Sequence, residues 1–284
     1  MTIDIICPLY NAEKYINNLH ENLKKQKDVE IKSINYILTK GNDNTEKILE
    51  QIDCKYEVIE KQEFSHSLTR EKVAMKSDAD ILVFITQDII IKNDDWLSNL
   101  TKCIQNGECE ASYSKQTCSN NTIEKYTRER NYPKESFIVS NEDIEKKGLQ
   151  TFFFSDASSA IKREIFVKLN GYDGKNLPTN EDMYFAFKLI TNGYKIKYCA
   201  DSIVEHSHKF TLKQLYKRYY DTGIFFKQNS YLNKYKVNKA GGGMAIYILK
   251  RAIQDKNIPA LIQFIPNMLA RFIGMKMGES GDSP

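Results

Sequence analysis

Short apolar runs alternate with segments of helical periodicity along most of the chain, and this alternation restricts the fold more than any other feature. The strongest predicted strand, Asp80–Ile85, is apolar at every position after Asp80 rather than at alternate positions. Strands of this kind are buried on both faces, as in parallel sheets that helices cover. We therefore predict an α/β fold with a mostly parallel central sheet flanked by helices. The predicted strands are 3–9, 33–39, 56–60, 80–85, 111–114 and 195–199, and the predicted helices are 11–26, 45–51, 68–76, 96–106, 162–169 and 182–192.

Two parts of the chain depart from this alternation. Residues 117–150 are polar and mixed, and we interpret them as an insertion or a mobile region. Beyond Thr211 the pattern is helical, with a break at 241–243, where three glycines follow one another. Asn11 is predicted to be the N-cap of the first helix.

Composition narrows the class of protein. The chain has 284 residues, of which 41% are apolar and 27% charged, so wholesale disorder is excluded. Its uncharged apolar runs are far shorter than the roughly 20 residues of a membrane-spanning helix. The first residues do not resemble a signal peptide, and the six cysteines include no Cys-x-x-Cys pair of the zinc-binding kind. We expect a cytoplasmic protein.

Positive charge is concentrated at the C-terminal end. From His206 onward there are 13 Lys and Arg against 4 Asp and Glu, whereas the whole chain carries a net charge of only +4. Such a segment can bind an anionic membrane surface or a nucleic acid, or it can be a solvated helical face. Because no nucleic-acid-reading motif accompanies it, we expect no nucleic-acid partner.

Asp88 directly follows the strongest predicted strand. In open α/β sheets the carboxyl ends of the strands border the ligand crevice, so this carboxylate is placed to bind a divalent cation beside a diphosphate. A turn or helix cap is the alternative role for an acid at this position. His206 and His208, half of the chain's four histidines, follow the last predicted strand, and histidine is a common ligand of catalytic metals.

Glu181 and Asp182 stand at the start of a predicted helix, after a loop that contains a proline. Acids at this position can stabilise the helix through its dipole. Alternatively, one of them can be the general base that takes the proton of an attacking hydroxyl group.

These residues belong to a series of motifs whose order resembles that of family 2 glycosyltransferases with the GT-A nucleotide-sugar fold, and most of all that of bacterial rhamnosyltransferases. The likeness covers roughly residues 3–226. The motifs are Cys7-Pro8-Leu9-Tyr10-Asn11, Phe64-Ser65-His66-Ser67-Leu68-Thr69-Arg70, Thr86-Gln87-Asp88, the segment 154–160 with Lys162-Arg163-Glu164, Gly171-Tyr172-Asp173, Asn180-Glu181-Asp182, Gly193-Tyr194-Lys195-Ile196 and His206-Ser207-His208.

The resemblance implies a domain division. Residues 1–210 would form the GT-A catalytic domain, with a nucleotide-sugar half at about 1–115 and an acceptor half at about 150–210. Residues 211–284 would form a C-terminal helical region.

The resemblance also implies a role for each site residue. Asp182 would be the catalytic base, helped or oriented by Glu181. Asp88 and His206 would bind Mg²⁺ or Mn²⁺, with His208 as the alternative ligand. The residues expected to bind the donor are Pro8, Tyr10 and Asn11 beside the nucleoside, His66 and Arg70 at the base or diphosphate, Gln87 at the sugar or ribose, and Thr39, which stands where the family usually has an Asp that reads the pyrimidine.

The implied reaction is an inverting transfer of rhamnose from dTDP-rhamnose to a hydroxyl of a saccharide or polyprenyl-linked acceptor in cell-surface polysaccharide synthesis. A UDP-hexose donor is the alternative within the same enzyme class. A nucleotide-sugar-binding scaffold without catalysis is the alternative from another class. A dinucleotide dehydrogenase is disfavoured, because no Gly-x-Gly-x-x-Gly follows the first strand.

The C-terminal segment 244–275 combines many large apolar residues with a few basic ones. Pro259 and Pro266 are expected to divide it into short helical pieces, which would exclude a single spanning helix. The pieces can pack on the catalytic domain, form a dimer interface, or lie in the plane of the inner face of the membrane with basic residues on anionic headgroups. The last possibility would make residues 211–275 a peripheral membrane contact.

Overall fold

The structure is a computed structural model that describes residues 1–52, 54–236 and 240–281. Residues 237–239 and 282–284 of the predicted C-terminal region lie outside the described residues. The strands are β1 Thr2–Leu9, β2 Glu30–Thr39, β3 Tyr56–Ile59, β4 Ile81–Ile85, β5 Ile90–Ile91, β6 Ala111–Thr117, β7 Phe137–Val139, β8 Ser158–Lys162 and β9 Ile196–Glu205. The α-helices are α1 Ile16–Lys24, α2 Thr45–Gln51, α3 His66–Lys76, α4 Trp96–Gln105, α5 Ile123–Asn131, α6 Ile144–Lys147, α7 Arg163–Lys168, α8 Glu181–Thr191, α9 Leu212–Gln228, α10 Ala240–Gln254 and α11 Ile258–Ser280.

The strands form one mixed sheet in the order β3-β2-β1-β4-β8-β6-β9-β5, and β7 pairs with β9. The first four strands of this order are mutually parallel. β8 runs antiparallel to both β4 and β6, and β9 runs parallel to β6. It follows that the carboxyl ends of β1, β2, β4 and β9 lie at the same edge of the sheet.

Alternate residues of β4 enter two different hydrophobic cores. Leu82 and Phe84 pack in the core that holds the buried face of α8, whereas Ile81 and Val83 pack in the core that holds α1 and α4. All residues of β4 are buried, which explains why this strand is apolar at every position. The prediction of a sheet covered by helices on both faces is confirmed.

Of the two interpretations of residues 117–150, the mobile region is wrong, because the segment is ordered. These residues form α5, β7, α6, a 3₁₀ turn at Asn141–Asp143 and the start of a second at Gly148–Phe152, and β7 is hydrogen-bonded to β9. Tyr126 and Val139 are buried. The sequence did not predict this order, because the segment is mostly polar. It contributes only a few apolar side chains to hydrophobic cores that consist mainly of residues from other elements.

Asn11 is not the N-cap of the first helix, since α1 begins at Ile16. Asn11 has a φ of 49°, in the left-handed region that Asn tolerates better than most residues. Its side-chain oxygen accepts a hydrogen bond of 3.0 Å from the backbone N–H of Asn42. Asn11 therefore joins the loop after β1 to the loop after β2.

The C-terminal helices also differ from the prediction. α10 begins at Ala240 and includes the three glycines, and α11 is one continuous helix that contains both prolines. Pro259 lies in the first turn of α11, where a backbone N–H is not needed. α10 and α11 pack against α5 through Ile248, Ala252 and Ala260. This packing stabilises the helical conformation, although the glycines and prolines locally disfavour it. By length and composition alone, α11 could cross a membrane.

α11 crosses α9 at very short range because glycines line the crossing. A Cβ atom on Gly274 would overlap the carbonyl oxygen of Tyr216, and one on Gly278 would overlap that of Tyr220. On α9, a Cβ atom on Gly223 would likewise overlap the Cα atom of Gly278. The two helices can approach this closely only with glycine at these positions.

The outer surface of α10 and α11 carries an unusually apolar patch, here called the apolar stripe. Its residues are far more exposed than large apolar side chains normally are, and Ile246 and Ile262 keep 70% and 72% of their surface accessible. The members are Ile246, Leu249, Ile253, Ile258, Ile262, Ile265, Leu269, Phe272 and Ile273.

Candidate active site

Three side chains that can bind a metal converge at the carboxyl edge of the sheet. Asp88 follows β4, and His206 and His208 follow β9. One carboxylate oxygen of Asp88 lies 3.4 Å from Nε2 of His206, and the other lies 3.6 Å from Nδ1 of His208. One ligand atom from each residue fits within 4.8 Å of the others. The topology thus brings together the two predicted metal ligands and the predicted alternative.

Gln116, at the end of β6, fixes the tautomer of His206. Arg128 donates a hydrogen bond to Oε1 of Gln116, which identifies this atom as the carbonyl oxygen, because a guanidinium only donates. Nδ1 of His206 lies 2.9 Å from the same oxygen and must therefore carry the hydrogen. In the neutral ring, Nε2 then directs a lone pair toward Asp88. This is the outer-shell arrangement that metal-binding histidines usually have.

The protonation state of the histidines is compatible with metal binding. Burial lowers the pKa of both imidazoles, that of His208 to about 4, so both are neutral at pH 7. Nε2 of His208 lies only 2.7 Å from Nε2 of His206. A carboxylate and two neutral imidazoles directed at one small volume are a ligand set for a divalent cation.

A buried ion pair lies beneath the start of α8. Glu181 and Arg70 are 8% and 3% exposed, and an oxygen of Glu181 lies 3.3 Å from an Nη of Arg70. The same nitrogen donates to the backbone oxygen of His66 at 2.8 Å. Asp156 adds a second buried carboxyl group close to Arg70, and the hydroxyl of Tyr172 donates to it at 2.6 Å. Arg70 is thus buried and bound to Glu181, and does not face an open crevice.

Asp182, unlike its neighbour Glu181, forms no ion pair with a cation among the described residues. It is half-buried and accepts a hydrogen bond of 2.7 Å from the backbone N–H of Met183. Burial raises its pKa well above the ordinary range, and the neighbouring charges of Glu181 and Asp156 raise it further. A carboxylate with a raised pKa is a stronger base, and Asp182 also lacks the ion pair in which Glu181 is engaged.

The loop after β1 is held by Gln87. Its side-chain amide accepts from the backbone N–H of Tyr10 at 2.7 Å and donates to the backbone oxygen of Tyr10 at 2.9 Å. Both polar ends of this amide are therefore engaged with backbone. The ring of Tyr10 is 40% exposed, and the ammonium group of Lys61 lies 5.1 Å from its centre.

The other residues predicted to bind the donor are spread along the same edge. Pro8 is half-buried near the end of β1, and His66 is exposed at the start of α3, where its ring contacts Phe64. Thr39 ends β2 with a buried hydroxyl that has no hydrogen-bond partner among the described residues. Asn11 is engaged with the neighbouring loop and lies at the surface.

Sequence reasoning missed Gln116 and Arg128. A signal for Gln116 was present, because Ser112, Ser114 and Gln116 alternate along β6, and all three are buried. Polar residues with strand periodicity on a buried face indicate a hydrogen-bonded interior network. No comparable signal marked Arg128, which lies in the segment that had been interpreted as an insertion.

A mixed α/β sheet with acids and histidines at its carboxyl edge is the architecture expected of a nucleotide-sugar-dependent glycosyltransferase. The sequence profile of glycosyl transferase family 2 matches residues 4–169, and the chain belongs to this family. The resemblance inferred from the motifs is confirmed.

Two curated relatives match over nearly the whole chain. The O-antigen chain rhamnosyltransferase RfbN of Salmonella typhimurium is 31% identical, over 100% of this chain and 91% of its own length. The O-antigen chain rhamnosyltransferase WbaN of Salmonella anatum is 32% identical, over 98% of this chain and 90% of its own length.

Solved structures share the fold at lower identity. The mannosyltransferase PcManGT of Pyrobaculum calidifontis, solved with GDP-Man and Mn²⁺, has a TM-score of 0.63 at 14% identity and covers 99% of this chain and 88% of its own. TarS of S. aureus, solved with UDP-GlcNAc, has a TM-score of 0.57 at 15% identity, covering 99% of this chain and 92% of its own. The predicted fold class is confirmed, and the chain is a glycosyltransferase.

Substitution of the two adjacent acids should affect stability in opposite directions. Glu181→Gln leaves Arg70 buried without its partner and should lower the free energy of unfolding by about 3 kcal/mol. Asp182→Asn removes a carboxylate whose pKa is raised in the folded state, and such a group destabilises the protein as the pH rises above its unfolded value of about 4. The Asn variant should therefore match the wild type near pH 3.5 and be more stable at pH 7.

Urea denaturation of both variants at several pH values measures these differences. A Glu181→Gln protein as stable as the wild type would show that the ion pair does not hold α8 in place. An Asp182→Asn protein whose stability difference from the wild type does not change with pH would contradict the raised pKa.

Proposed function

We propose that this glycosyltransferase inverts the anomeric configuration as it moves rhamnose from dTDP-rhamnose to a saccharide hydroxyl in cell-surface polysaccharide synthesis. The observation that carries the proposal is the contrast between the two acids at the start of α8. Glu181 is neutralised by Arg70, whereas Asp182 forms no ion pair within the described part of the chain and has a raised pKa. The identity of about 31% to two rhamnosyltransferases over nearly the full chain supports the choice of sugar.

The reaction is a direct displacement. The acceptor oxygen bonds to the anomeric carbon while the bond from that carbon to the β-phosphate oxygen breaks, and the electron pair of the broken bond stays with the phosphate. The acceptor proton passes to a carboxylate oxygen of Asp182. Positioned general bases of this kind contribute roughly 10²–10⁴ to the rate. Glu181 acts indirectly, because its pairing with Arg70 orients the first turn of α8.

The proposed metal site consists of Asp88 and His206, with His208 as a third ligand. A bound Mg²⁺ or Mn²⁺ would supply positive charge to the diphosphate that leaves. Gln116 holds His206 in the tautomer that this role requires, and β4 and β9 hold the ligands at one edge of the sheet.

The proposed nucleoside site lies at the ends of β1 and β2. Gln87 fixes the backbone of Tyr10, so the exposed ring of Tyr10 is a ready surface for a base or ribose. Thr39 is buried at the end of β2, so we assign it a place beneath the nucleoside rather than a direct contact with the base. Pro8, Asn11 and His66 would border the same ligand. We assign Gln87 a positioning role toward Tyr10, in place of the direct sugar contact that the sequence suggested.

We further propose that residues 1–210 form the catalytic domain and that 211–284 place it at the cytoplasmic face of the membrane. The apolar stripe is too large and too exposed for an ordinary protein surface. A polyprenyl-linked acceptor would be reached most easily by an enzyme held at the lipid boundary. The alternative is that the apolar stripe is buried in a homodimer. Sedimentation with liposomes distinguishes a membrane contact from a dimer interface.

A donor panel tests the function. Wild-type enzyme should transfer rhamnose from dTDP-rhamnose to a lipid-linked saccharide acceptor, detected by mass spectrometry, and should leave UDP-glucose unused. Asp182→Asn should keep the donor affinity and lose at least about 10² in turnover, because a general base is missing only from the chemical step.

Glu181→Gln is the matched control for this loss. If it is the inactive variant and Asp182→Asn is not, the two roles are reversed. Transfer from UDP-glucose but not from dTDP-rhamnose would identify a UDP-hexose as the donor. Donor binding without transfer from any donor would indicate a nucleotide-sugar-binding scaffold without catalysis.

The metal site predicts that excess chelator abolishes transfer and that added Mn²⁺ restores it. Wild-type protein should quench the electron paramagnetic resonance signal of free Mn²⁺ even without donor, and Asp88→Ala should not. Gln116→Leu should weaken Mn²⁺ binding by roughly 10- to 100-fold, as loss of an outer-shell partner does. Asp94→Ala, which removes a surface acid paired with Lys27, is the matched control and should bind normally. Undiminished transfer in chelator would contradict the metal site.

The membrane contact predicts co-sedimentation with anionic liposomes that weakens at high salt, since each basic residue near an anionic surface adds about 1 kcal/mol. The double variant Ile262→Asp and Ile265→Asp should remain in the supernatant. Val167→Asp, at a half-exposed apolar position on α7, should still sediment. Dimerisation without vesicle binding, lost in the double variant, would instead identify a dimer interface.

A further inference from the structure

The proposed reaction leaves a charge problem in the active site. A nucleoside diphosphate that departs carries more negative charge than one divalent cation neutralises, so such sites need additional positive groups. The sequence assigned this task to Arg70, but that guanidinium is 3% exposed and its charge is already bound to Glu181. Another cation must reach the diphosphate.

Two further arginines lie near the metal-binding histidines. Arg128 donates to Gln116, and its Nε is buried with no hydrogen-bond partner among the residues that the structure describes, so this side chain belongs to the protein interior. Arg218, on the first half of α9, is exposed, and it forms no ion pair within the described part of the chain. Arg218 is therefore the one of the two that is accessible to a ligand.

Aromatic contacts hold Arg218 beside the metal ligands. Its guanidinium lies over the ring of Phe210, at 5.7 Å from the ring centre. Phe210 stacks on His208, with ring centres 4.9 Å apart and planes 29° apart, and His208 contacts His206. Phe210 thus connects the cation on α9 to the cluster that follows β9.

Arg218 also lies close to the proposed base. The pKa of Asp182 is raised by burial and by Glu181 and Asp156, and the positive charge of Arg218 opposes this rise. The exposed guanidinium on α9 therefore lies near both the start of α8 and the segment after β9.

We propose that Arg218 binds the diphosphate of the nucleotide-sugar donor and stabilises the negative charge that develops on it as the glycosidic bond breaks. A guanidinium suits this role because it can donate two parallel hydrogen bonds to phosphate oxygens. The inference rests on the proposed function, and it makes the C-terminal helical region part of the active site. The glycine crossing with α11 fixes the helix that carries Arg218.

Nucleotide binding tests the proposal directly. In the presence of Mn²⁺, Arg218→Gln should weaken the binding of dTDP by about 10- to 100-fold in isothermal titration calorimetry, as loss of charge-assisted hydrogen bonds does, and should leave thymidine binding unchanged. Turnover should fall by at least the same factor. Arg218→Lys should recover part of both losses, because it keeps the charge but not the bidentate geometry. Lys213→Gln, an exposed cation earlier on the same helix, should behave as wild type.

Circular dichroism melts of each variant distinguish a loss of dTDP binding from a loss of folding. If Arg218→Gln does not fold, the dTDP affinity of Arg218→Lys tests the proposal instead. Wild-type dTDP affinity and turnover in Arg218→Gln would overturn the proposal while the proposed function stands. Equal losses of dTDP and thymidine binding would also overturn it, because they would place the effect outside the diphosphate. A wild-type protein that binds neither dTDP nor UDP would overturn the proposed function itself.

Discussion

The ion pair between Arg70 and Glu181 is the interaction on which the candidate site depends most. It joins α3 to α8, which are far apart in the chain, below the edge of the sheet where the ligands are expected. A buried pair of this kind contributes little net stability, yet either partner alone would be an uncompensated buried charge. The pair therefore fixes the relative position of the two helices. It also distinguishes the two acids, because Glu181 is neutralised and Asp182 keeps its basicity.

Much of the fold could be predicted because burial leaves a direct mark on the sequence. The apolar run of β4 and the helical spacing of α2 were visible, and the predicted bounds 45–51 match the helix. β8 was missed because its residues Ser158 and Ser159 are buried by hydrogen bonding rather than by apolar character. The sequence predicted separate helical pieces around Pro266, but α11 is one helix. Packing against α9 outweighs the free-energy cost of a proline within the helix. Interactions between distant segments decided each of these cases.

The site was predictable where function requires a residue at the end of an element. Asp88, Asp182 and His206 each follow or begin a predicted strand or helix, and the topology could be expected to gather them at one edge. The partners that orient them were not predictable in this way. Gln116 lies within a strand, and Arg128 and the proposed ligand Arg218 lie in segments that carry none of the motifs quoted above. Their roles depend on which side chains happen to meet in three dimensions.

The composition of the metal-binding cluster has a consequence for how the protein is handled. Two of its three side chains offer nitrogen, whereas an Asp-x-Asp signature would offer oxygen. Imidazole favours the later transition metals, and affinity rises along the series from Mn²⁺ through Co²⁺ and Ni²⁺ to Cu²⁺. If the cluster binds a cation as we propose, protein eluted from a nickel resin is expected to retain Ni²⁺ between Asp88 and the histidines. The metal found in a preparation will reflect its purification history as much as the preference of the enzyme in the cell.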